Sequence, residues 1–189
     1  TTANAVCKCV ESYIRHNSDF IYGQNGTATK WNENGFIDGT TGKYRIDCST
    51  LALLVVMGVD YDHSLYNPHN TQNVIGAMQY GFNPFWGGTY PWDAHDLYGT
   101  YTYQMAYEYA KMGFCVDIIN RDFSGAQVGD LIFWGNTAQY GSTDRYRSIH
   151  HVDVVVGRVG EKDVLLANAG QVPINVYKGS TRGAGDNVC

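Results

Sequence analysis

A cysteine and a histidine in separate segments have the residue types and settings of a nucleophile and its base. Cys48 follows Asp47 and precedes the apolar run Leu51–Val59, which places it in the first turn of a predicted buried helix. The positive end of a helix lowers the pKa of a thiol and makes it a better nucleophile. His151 begins the run 151–157, in which valines alternate with other residues as in a half-buried strand.

This alternation predicts that the valines face the core and that His151 faces the other way, together with Asp153. An imidazole held on a rigid strand is suitably placed to take a proton from a thiol. Such a base also needs a group that orients its ring. We expect Asn168, which ends the next predicted strand, to accept a hydrogen bond from the ring; Asp153 is a rival two residues along the same strand.

The elements that must position these residues follow a helices-first order. Asp47 and Gly58 have the residue types of an N-cap and a C-cap, and helical patterns are followed by short apolar runs between Gly and Asp turns. This order predicts an α+β fold, with N-terminal helices packed on a C-terminal antiparallel sheet. We expect one domain over residues 1–189, with an aromatic insertion at about 60–98. The predicted helices cover residues 4–17, 48–57 and 101–112, and the predicted strands cover 131–134, 152–156, 164–167 and 174–177.

Charge and hydropathy exclude two classes of partner. The net charge is −5 and no basic run occurs, so nucleic acid is not an expected partner. The longest apolar stretch is Leu51–Val59, which is well short of the roughly 20 residues that span a bilayer, so no membrane partner is expected. We expect neither a metal nor an organic cofactor.

The remaining cysteines indicate a redox compartment. With Cys48 set aside, Cys7, Cys9, Cys115 and Cys189 are compatible with two disulfides in an oxidising environment. Cys7 and Cys9 are too close in sequence to bridge each other, so each would need a distant partner. The Cys-Lys-Cys spacing lacks the two to four intervening residues usual in a zinc site, which argues against zinc.

Three segments resemble the NlpC-type cell-wall peptidases, which are papain-like and related to the CHAP amidases. The segments are 45–58 (RIDCSTLALLVVMG), 127–134 (QVGDLIFW) and 151–157 (HVDVVVG), in the order that the family shows. The resemblance implies a papain-like fold, with Cys48 as nucleophile, His151 as base and Asn168 as the third, orienting residue.

The resemblance also indicates residues that would surround a substrate. Tyr22 in Tyr-Gly-Gln-Asn-Gly is similar to a family tyrosine whose hydroxyl lies near the nucleophile, although the interval between Tyr22 and the cysteine is longer than usual. Asp153 stands where the family has a small residue, and its carboxylate would stabilise a protonated imidazole. The expected substrate-binding residues are Tyr22, Asp47, Ser49, Asp153 and Trp92, the last from the aromatic insertion.

The function implied is hydrolysis of peptidoglycan stem-peptide or cross-bridge amide bonds by a Cys-His-Asn mechanism. An N-acetylmuramoyl-L-alanine amidase of the same fold is one alternative. A non-catalytic module that binds cell wall or glycan through its aromatic insertion is another. The expected setting is extracellular or virion-associated, as a secreted enzyme, a bacteriophage lysin, or part of a larger protein such as a phage tail component.

Overall fold

The computed structural model describes residues 2–23, 38–64, 66, 102–141, 145–183 and 187–189. Most of the predicted aromatic insertion at about 60–98, including Trp92, lies outside the described residues. So does much of the long interval between Tyr22 and Cys48.

The described residues form three α-helices, each close to its predicted position: α1 (Ala3–Arg15), α2 (Cys48–Met57) and α3 (Thr102–Lys111). In α1 the apolar residues at helical spacing are buried, with Val6 and Val10 each 2% exposed and Tyr13 fully buried. The three helix predictions are confirmed, with ends shifted by at most two residues.

The ends of α2 are fixed by the two residues that the sequence indicated. The Asp47 side chain accepts a hydrogen bond from the Thr50 backbone N–H at 2.9 Å and thereby caps the first turn. Gly58 has φ 71°, a left-handed conformation that glycine adopts without a Cβ penalty. The residues between these caps are almost all buried, so α2 is the central helix of the core.

The described residues contain seven strands: β1 (Phe20–Tyr22), β2 (Tyr44–Ile46), β3 (Leu131–Gly135), β4 (Ile149–Val159), β5 (Asp163–Asn168), β6 (Asn175–Lys178) and β7 (Asn187–Val188). The last five form an antiparallel sheet in the spatial order β6-β5-β4-β3-β7. The first two, β1 and β2, form a separate parallel pair. The four predicted strands correspond to β3 to β6, whereas β1, β2 and β7 were not predicted.

The two faces of the five-stranded sheet belong to different apolar clusters. Val152 and Val154 of β4 pack in the larger cluster with the helices, and α2 contacts β4 directly. Val155, together with Trp134 of β3, packs in the smaller cluster, which Phe123 covers. The helices and the antiparallel sheet are thus separate segments packed together, so the predicted α+β class is confirmed.

The paired strands β3 and β4 contain an irregularity next to the predicted base. Trp134 pairs with His151, but the next residue, Gly135, pairs with Ile149, so that His150 is an extra residue on β4. A β-bulge of this kind redirects the side chains around it. No helix in the described ranges is long and apolar enough to span a membrane.

We predict that Tyr13→Phe lowers the free energy of unfolding by about 1 kcal/mol. The Tyr13 hydroxyl is buried and donates a 2.6 Å hydrogen bond to the carbonyl of Val59, which joins α1 to the residues after α2. Urea unfolding measures the change. Tyr140→Phe is the control, because the Tyr140 hydroxyl is exposed where it accepts from Gln139, and it should change stability little. Equal effects of the two substitutions would contradict the prediction.

Candidate active site

The Cys48 thiol lies where the start of α2 meets β4. Cys48 is 9% exposed, and the backbone N–H groups of Val152 and Ser49 both hydrogen-bond to its sulfur. Val152 directly follows His151, so the structure brings the predicted nucleophile beside the backbone that carries the predicted base.

The environment of this thiol opposes ionisation. Burial is the largest influence and raises the pKa of Cys48 to about 12, and the nearby carboxylates of Asp47 and Asp153 raise it further. The two backbone N–H groups lower it by less. The expectation that the helix start lowers the thiol pKa is therefore wrong for the resting site, because desolvation outweighs the helix end. Cys48 is a neutral thiol until another group takes its proton.

The ring of His151 is held by Asp153 and not by Asn168. The His151 Nε2 atom lies 2.7 Å from Asp153 Oδ1, and both side chains are buried. Two residues on one strand face are close enough for this contact because the imidazole and the carboxylate both extend along the strand. The predicted role of Asn168 in orienting the ring is therefore corrected.

Asp153 is the centre of a buried hydrogen-bond cluster. It is 1% exposed, and its Oδ2 atom accepts hydrogen bonds from Trp134 Nε1 at 2.8 Å and from the Tyr177 hydroxyl. A buried carboxylate needs such donors to offset the loss of water. Asp153 is one of the predicted substrate-binding residues, and in this structure its side chain is enclosed and both oxygens have protein partners.

These partners indicate which nitrogen of His151 can act as a base. The Asp153 carboxylate accepts hydrogen bonds from Trp134 and Tyr177, and an ionised carboxylate can only accept. The proton in its contact with His151 is therefore on Nε2 of the ring. In the neutral ring Nδ1 is then the unprotonated nitrogen. Within the described residues His151 forms its hydrogen bond with Asp153 and none with the Cys48 sulfur. Catalytic hydrogen bonds are often long in unliganded enzymes and tighten when substrate binds.

A glycine fits against the edge of the ring that carries Nδ1. A Cβ added to Gly170 would lie 2.9 Å from His151 Cε1 and 3.3 Å from Nδ1. Asn168 Oδ1 accepts the Gly170 backbone N–H at 2.8 Å, and Asn168 Nδ2 donates to Asn175 at 3.1 Å. Asn168 therefore lies close to His151 but positions the turn beside the ring.

The two residues that flank Cys48 belong to the helix cap. Asp47 is 5% exposed and Ser49 is 3% exposed, and the Ser49 hydroxyl donates to Asp47 Oδ1 at 2.8 Å. The Thr50 hydroxyl donates to the same oxygen at 2.8 Å. Asp47 and Ser49, both predicted to bind substrate, have their side chains buried in this cap.

Tyr22, one of the predicted substrate-binding residues, lies close enough to Cys48 for the charge of the thiolate to affect its pKa. It is 49% exposed, and its pKa is raised first by burial and then by the charges of Cys48 and Asp47, with a further effect of Tyr140. The Tyr140 ring stacks on His150 at a centroid distance of 5.5 Å. Arg145 places its guanidinium 4.1 Å from the centre of the Tyr140 ring. An aromatic and cationic cluster thus borders the Cys48 side of the site.

Several of these residues were missed by sequence reasoning. Trp134 and Tyr177 reach Asp153 from β3 and β6, and finding them needs the strand register, which a long connection between β3 and β4 leaves open. Tyr140 and Arg145 lie within that connection and carry no motif. One signal was readable in the sequence: Asn175 and Tyr177 are two positions apart on a predicted strand and therefore lie on the same face of it.

Neither of the two disulfides with which the sequence is compatible is present. All five cysteines are free thiols, and Cys7 and Cys9 donate to the carbonyls of Val156 and Val59 instead of facing another sulfur. Cys115 and Cys189 approach each other at 3.6 Å without a bond. Within the described ranges no three His, Cys, Asp or Glu side chains come close enough to hold a metal ion.

No family model matches this chain, and comparisons with curated proteins and with solved structures also found no match. The geometry of the site and the motif resemblance are therefore the support for a function.

We predict that His150 makes stability depend on pH. Burial, followed by the charges of Arg182, His151 and Arg145, lowers the pKa of His150 from 6.5 to about 4. Between these values the unfolded chain binds a proton that the folded chain does not, so the free energy of unfolding should fall as pH decreases from about 6.5 to about 4. Chemical unfolding at several pH values should show this slope, and His150→Gln should reduce it.

His63→Gln is the matched control. The His63 ring is exposed and hydrogen-bonds to Asp60, which raises the pKa of His63. The effect of His63 on the free energy of unfolding therefore has the opposite sign to that of His150, and solvent screens it strongly. If the free energy of unfolding depended on pH in His150→Gln and in His63→Gln as it does in the unsubstituted chain, His150 would not be the source of the slope.

Proposed function

We propose that this chain is a papain-like cysteine hydrolase that cleaves amide bonds in the peptide part of bacterial peptidoglycan. The observation that carries the proposal is a His151–Asp153 pair on the strand whose Val152 backbone N–H contacts the Cys48 sulfur. A buried carboxylate holds one nitrogen of the imidazole at 2.7 Å, and the thiol lies against the backbone N–H of the next residue on the strand. A carboxylate in this position orients the ring and stabilises its protonated form, as a general base requires.

The first chemical step is transfer of the thiol proton to His151 Nδ1. The resulting imidazolium is stabilised by Asp153, which offsets the burial that keeps Cys48 neutral. The Cys48 sulfur then attacks the carbonyl carbon of the scissile amide. His151 returns the proton to the leaving amine, so a thioester and a free amine are formed.

Water completes the cycle. His151 takes a proton from water, the hydroxide attacks the thioester carbonyl, and the released Cys48 thiolate is reprotonated. During both attacks the substrate oxygen carries negative charge. The backbone N–H groups in the first turn of α2, including that of Cys48, are available to stabilise this charge at the positive end of the helix. The thiolate, the imidazolium and the substrate oxyanion are thus present only while an attack takes place.

A papain-like fold is part of the proposal. Its support is the arrangement of the elements: the nucleophile begins a buried helix, the helix packs on an antiparallel sheet, and the base lies on the strand in contact with that helix. The Cys, Gly-Asp-Leu and His-Val motifs, in the order of the NlpC-type peptidases, support the same conclusion.

The substrate class follows from the resemblance and is consistent with the side chains around the thiol. Tyr22 and Tyr140 offer aromatic surfaces with polar ends, which suit a peptide linked to glycan. Arg145 donates to the Ile149 carbonyl at 3.2 Å and lies over Tyr103 and Tyr140, and no acidic partner reaches it from the described residues. A guanidinium of this kind favours the free carboxylates of stem peptides.

We predict that purified cell walls release new amine and carboxyl ends when treated with the unsubstituted chain. Cys48→Ala should reduce the rate by at least about a thousandfold, because it removes the nucleophile. Walls of several peptidoglycan types are digested, and mass spectrometry of the fragments identifies the bond. Cys7→Ala is the matched control, since its thiol donates to the Val156 carbonyl and takes no part in the reaction, and it should retain activity.

The same digest separates the alternatives. Fragments in which the lactyl group of muramic acid is freed from L-alanine would identify an amidase. If neither the unsubstituted chain nor Cys48→Ala released fragments, and both bound walls equally, the module would be a binding domain. Equal release by both chains would show that Cys48 is not the nucleophile.

We predict that Asp153→Asn lowers kcat by about 10² to 10⁴-fold, because it removes the charge that orients and stabilises the His151 imidazolium. Asn168→Ala should have a much smaller effect, since Asn168 contacts the turn at Gly170 and not the ring. Steady-state rates on a released stem-peptide substrate provide the measurement, with circular dichroism to check folding. A larger loss in Asn168→Ala than in Asp153→Asn would instead support a Cys-His-Asn triad.

A further inference from the structure

A second pair of sulfurs lies outside the Cys48–His151 cluster. Cys115 Sγ and Cys189 Sγ are 3.6 Å apart and are separated by 74 positions in the chain. Cys115 is partly exposed in the segment that follows α3, whereas Cys189 follows β7 and is 6% exposed. One accessible thiol and one buried thiol are therefore in direct contact.

The backbone holds both cysteines in this position. The Cys189 N–H donates to the Phe133 carbonyl at 3.0 Å, and the Phe133 N–H donates back to Cys189 at 2.6 Å. On the side of Cys115, the Ile118 N–H donates to the Val188 carbonyl at 2.9 Å, which joins the segment to β7. The sulfurs need to move closer by about 1.5 Å to reach the roughly 2.05 Å of a disulfide bond.

The surroundings make the exposed sulfur the more acidic one. The hydrogen bond with Cys189, followed by the positive charge of Arg147, lowers the pKa of Cys115 to about 7 despite its partial burial. The pKa of Cys189 is raised by the same hydrogen bond and by burial. Of the two thiols, Cys115 therefore has the lower pKa and is the better nucleophile near neutral pH.

We propose that Cys115 and Cys189 are a redox-active dithiol that closes to an intramolecular disulfide by exchange with a low-molecular-weight disulfide such as oxidised glutathione. The Cys115 thiolate attacks one sulfur of the oxidant, forms a mixed disulfide and releases one thiolate. Cys189 loses its proton and attacks the Cys115 sulfur, which forms the internal bond and releases the second thiolate. Two protein thiols are oxidised, and one oxidant disulfide is reduced to two thiols.

The other cysteines are poorly suited to the same reaction. Burial raises the pKa of both Cys9 and Cys48 to about 12, so neither presents a thiolate at neutral pH. Cys7 donates to the Val156 carbonyl and has no sulfur neighbour. By contrast, Cys115 and Cys189 both line a cavity of about 880 Å³ between α3 and β3, through which a small oxidant can reach them.

Closure of this bond would tie β7 to the segment after α3. A crosslink over 74 positions restricts the unfolded chain strongly and thereby stabilises the folded state. We expect the oxidised chain to have a Tm about 5 °C or more above that of the reduced chain.

The test is equilibration of the full chain with oxidised and reduced glutathione under native conditions, followed by acid quenching and peptide mass spectrometry. The expected product has lost two thiols and contains a peptide linked through Cys115 and Cys189. Cys189→Ala should stop at a glutathione adduct on Cys115, and Cys115→Ser should form neither product. Cys7→Ser is the control and should form the linked peptide like the unsubstituted chain.

The pH dependence of alkylation by iodoacetamide gives an independent readout. Alkylation of Cys115 should be half-maximal near pH 7, and Cys189→Ala should raise that pH because it removes the hydrogen bond that stabilises the thiolate. A wild-type chain that stops at the mixed disulfide, that links Cys115 to Cys7 or Cys9, or that does not react would overturn the proposal. None of these readouts depends on Cys48 or on wall hydrolysis, so the two proposals fail separately.

Discussion

The buried carboxylate of Asp153 is the constraint on which the site depends. A charge that is 1% exposed is costly unless donors replace its lost water, and here three donors do so. They come from different strands: Trp134 from β3, His151 from the same strand as the carboxylate, and Tyr177 from β6. The order of the strands therefore decides which donors reach the Asp153 carboxylate, since the Tyr177 side chain must extend past β5 to donate its hydrogen bond.

The same carboxylate has opposite effects on the two members of the proposed dyad. Its charge raises the pKa of the Cys48 thiol. In the proposed reaction it also stabilises the imidazolium that forms when His151 takes the thiol proton. Burial then has a protective role, because a neutral resting thiol resists oxidation and alkylation.

Local patterns were sufficient to predict the elements that carry Cys48 and His151. The cap residues Asp47 and Gly58 set the bounds of α2, and the alternating valines of β4 separated its two faces. Non-local pairing decided what the sequence could not show. Tyr177 and Asp153 are 24 positions apart and meet only through the register of three strands. The parallel pair of β1 with β2 and the short β7 also depend on distant partners and lack a strong period of their own.

The choice of Asp153 over Asn168 shows why residue type and order are insufficient to assign a triad. Both residues lie near the ring, and an amide is the partner that the motif suggests. However, Asn168 is engaged by Asn175 and by the Gly170 N–H, and this turn brings a glycine against His151 where a Cβ would be too close. The amide is thereby occupied in shaping the pocket around the ring, and the carboxylate is left to orient it.

The reactivity of the cysteines is likewise not determined by residue type alone. Cys48 and Cys115 are the same residue type, yet their pKa values lie near 12 and near 7. Cys48 is enclosed beside carboxylates, whereas Cys115 hydrogen-bonds with Cys189 near the positive charge of Arg147. The more acidic thiol is not the proposed nucleophile. A low resting pKa suits exchange with a disulfide, which needs a standing thiolate, whereas acyl transfer with a paired imidazole needs the thiolate only at the moment of attack. Two chemistries can therefore coexist in one chain without competing for the same sulfur.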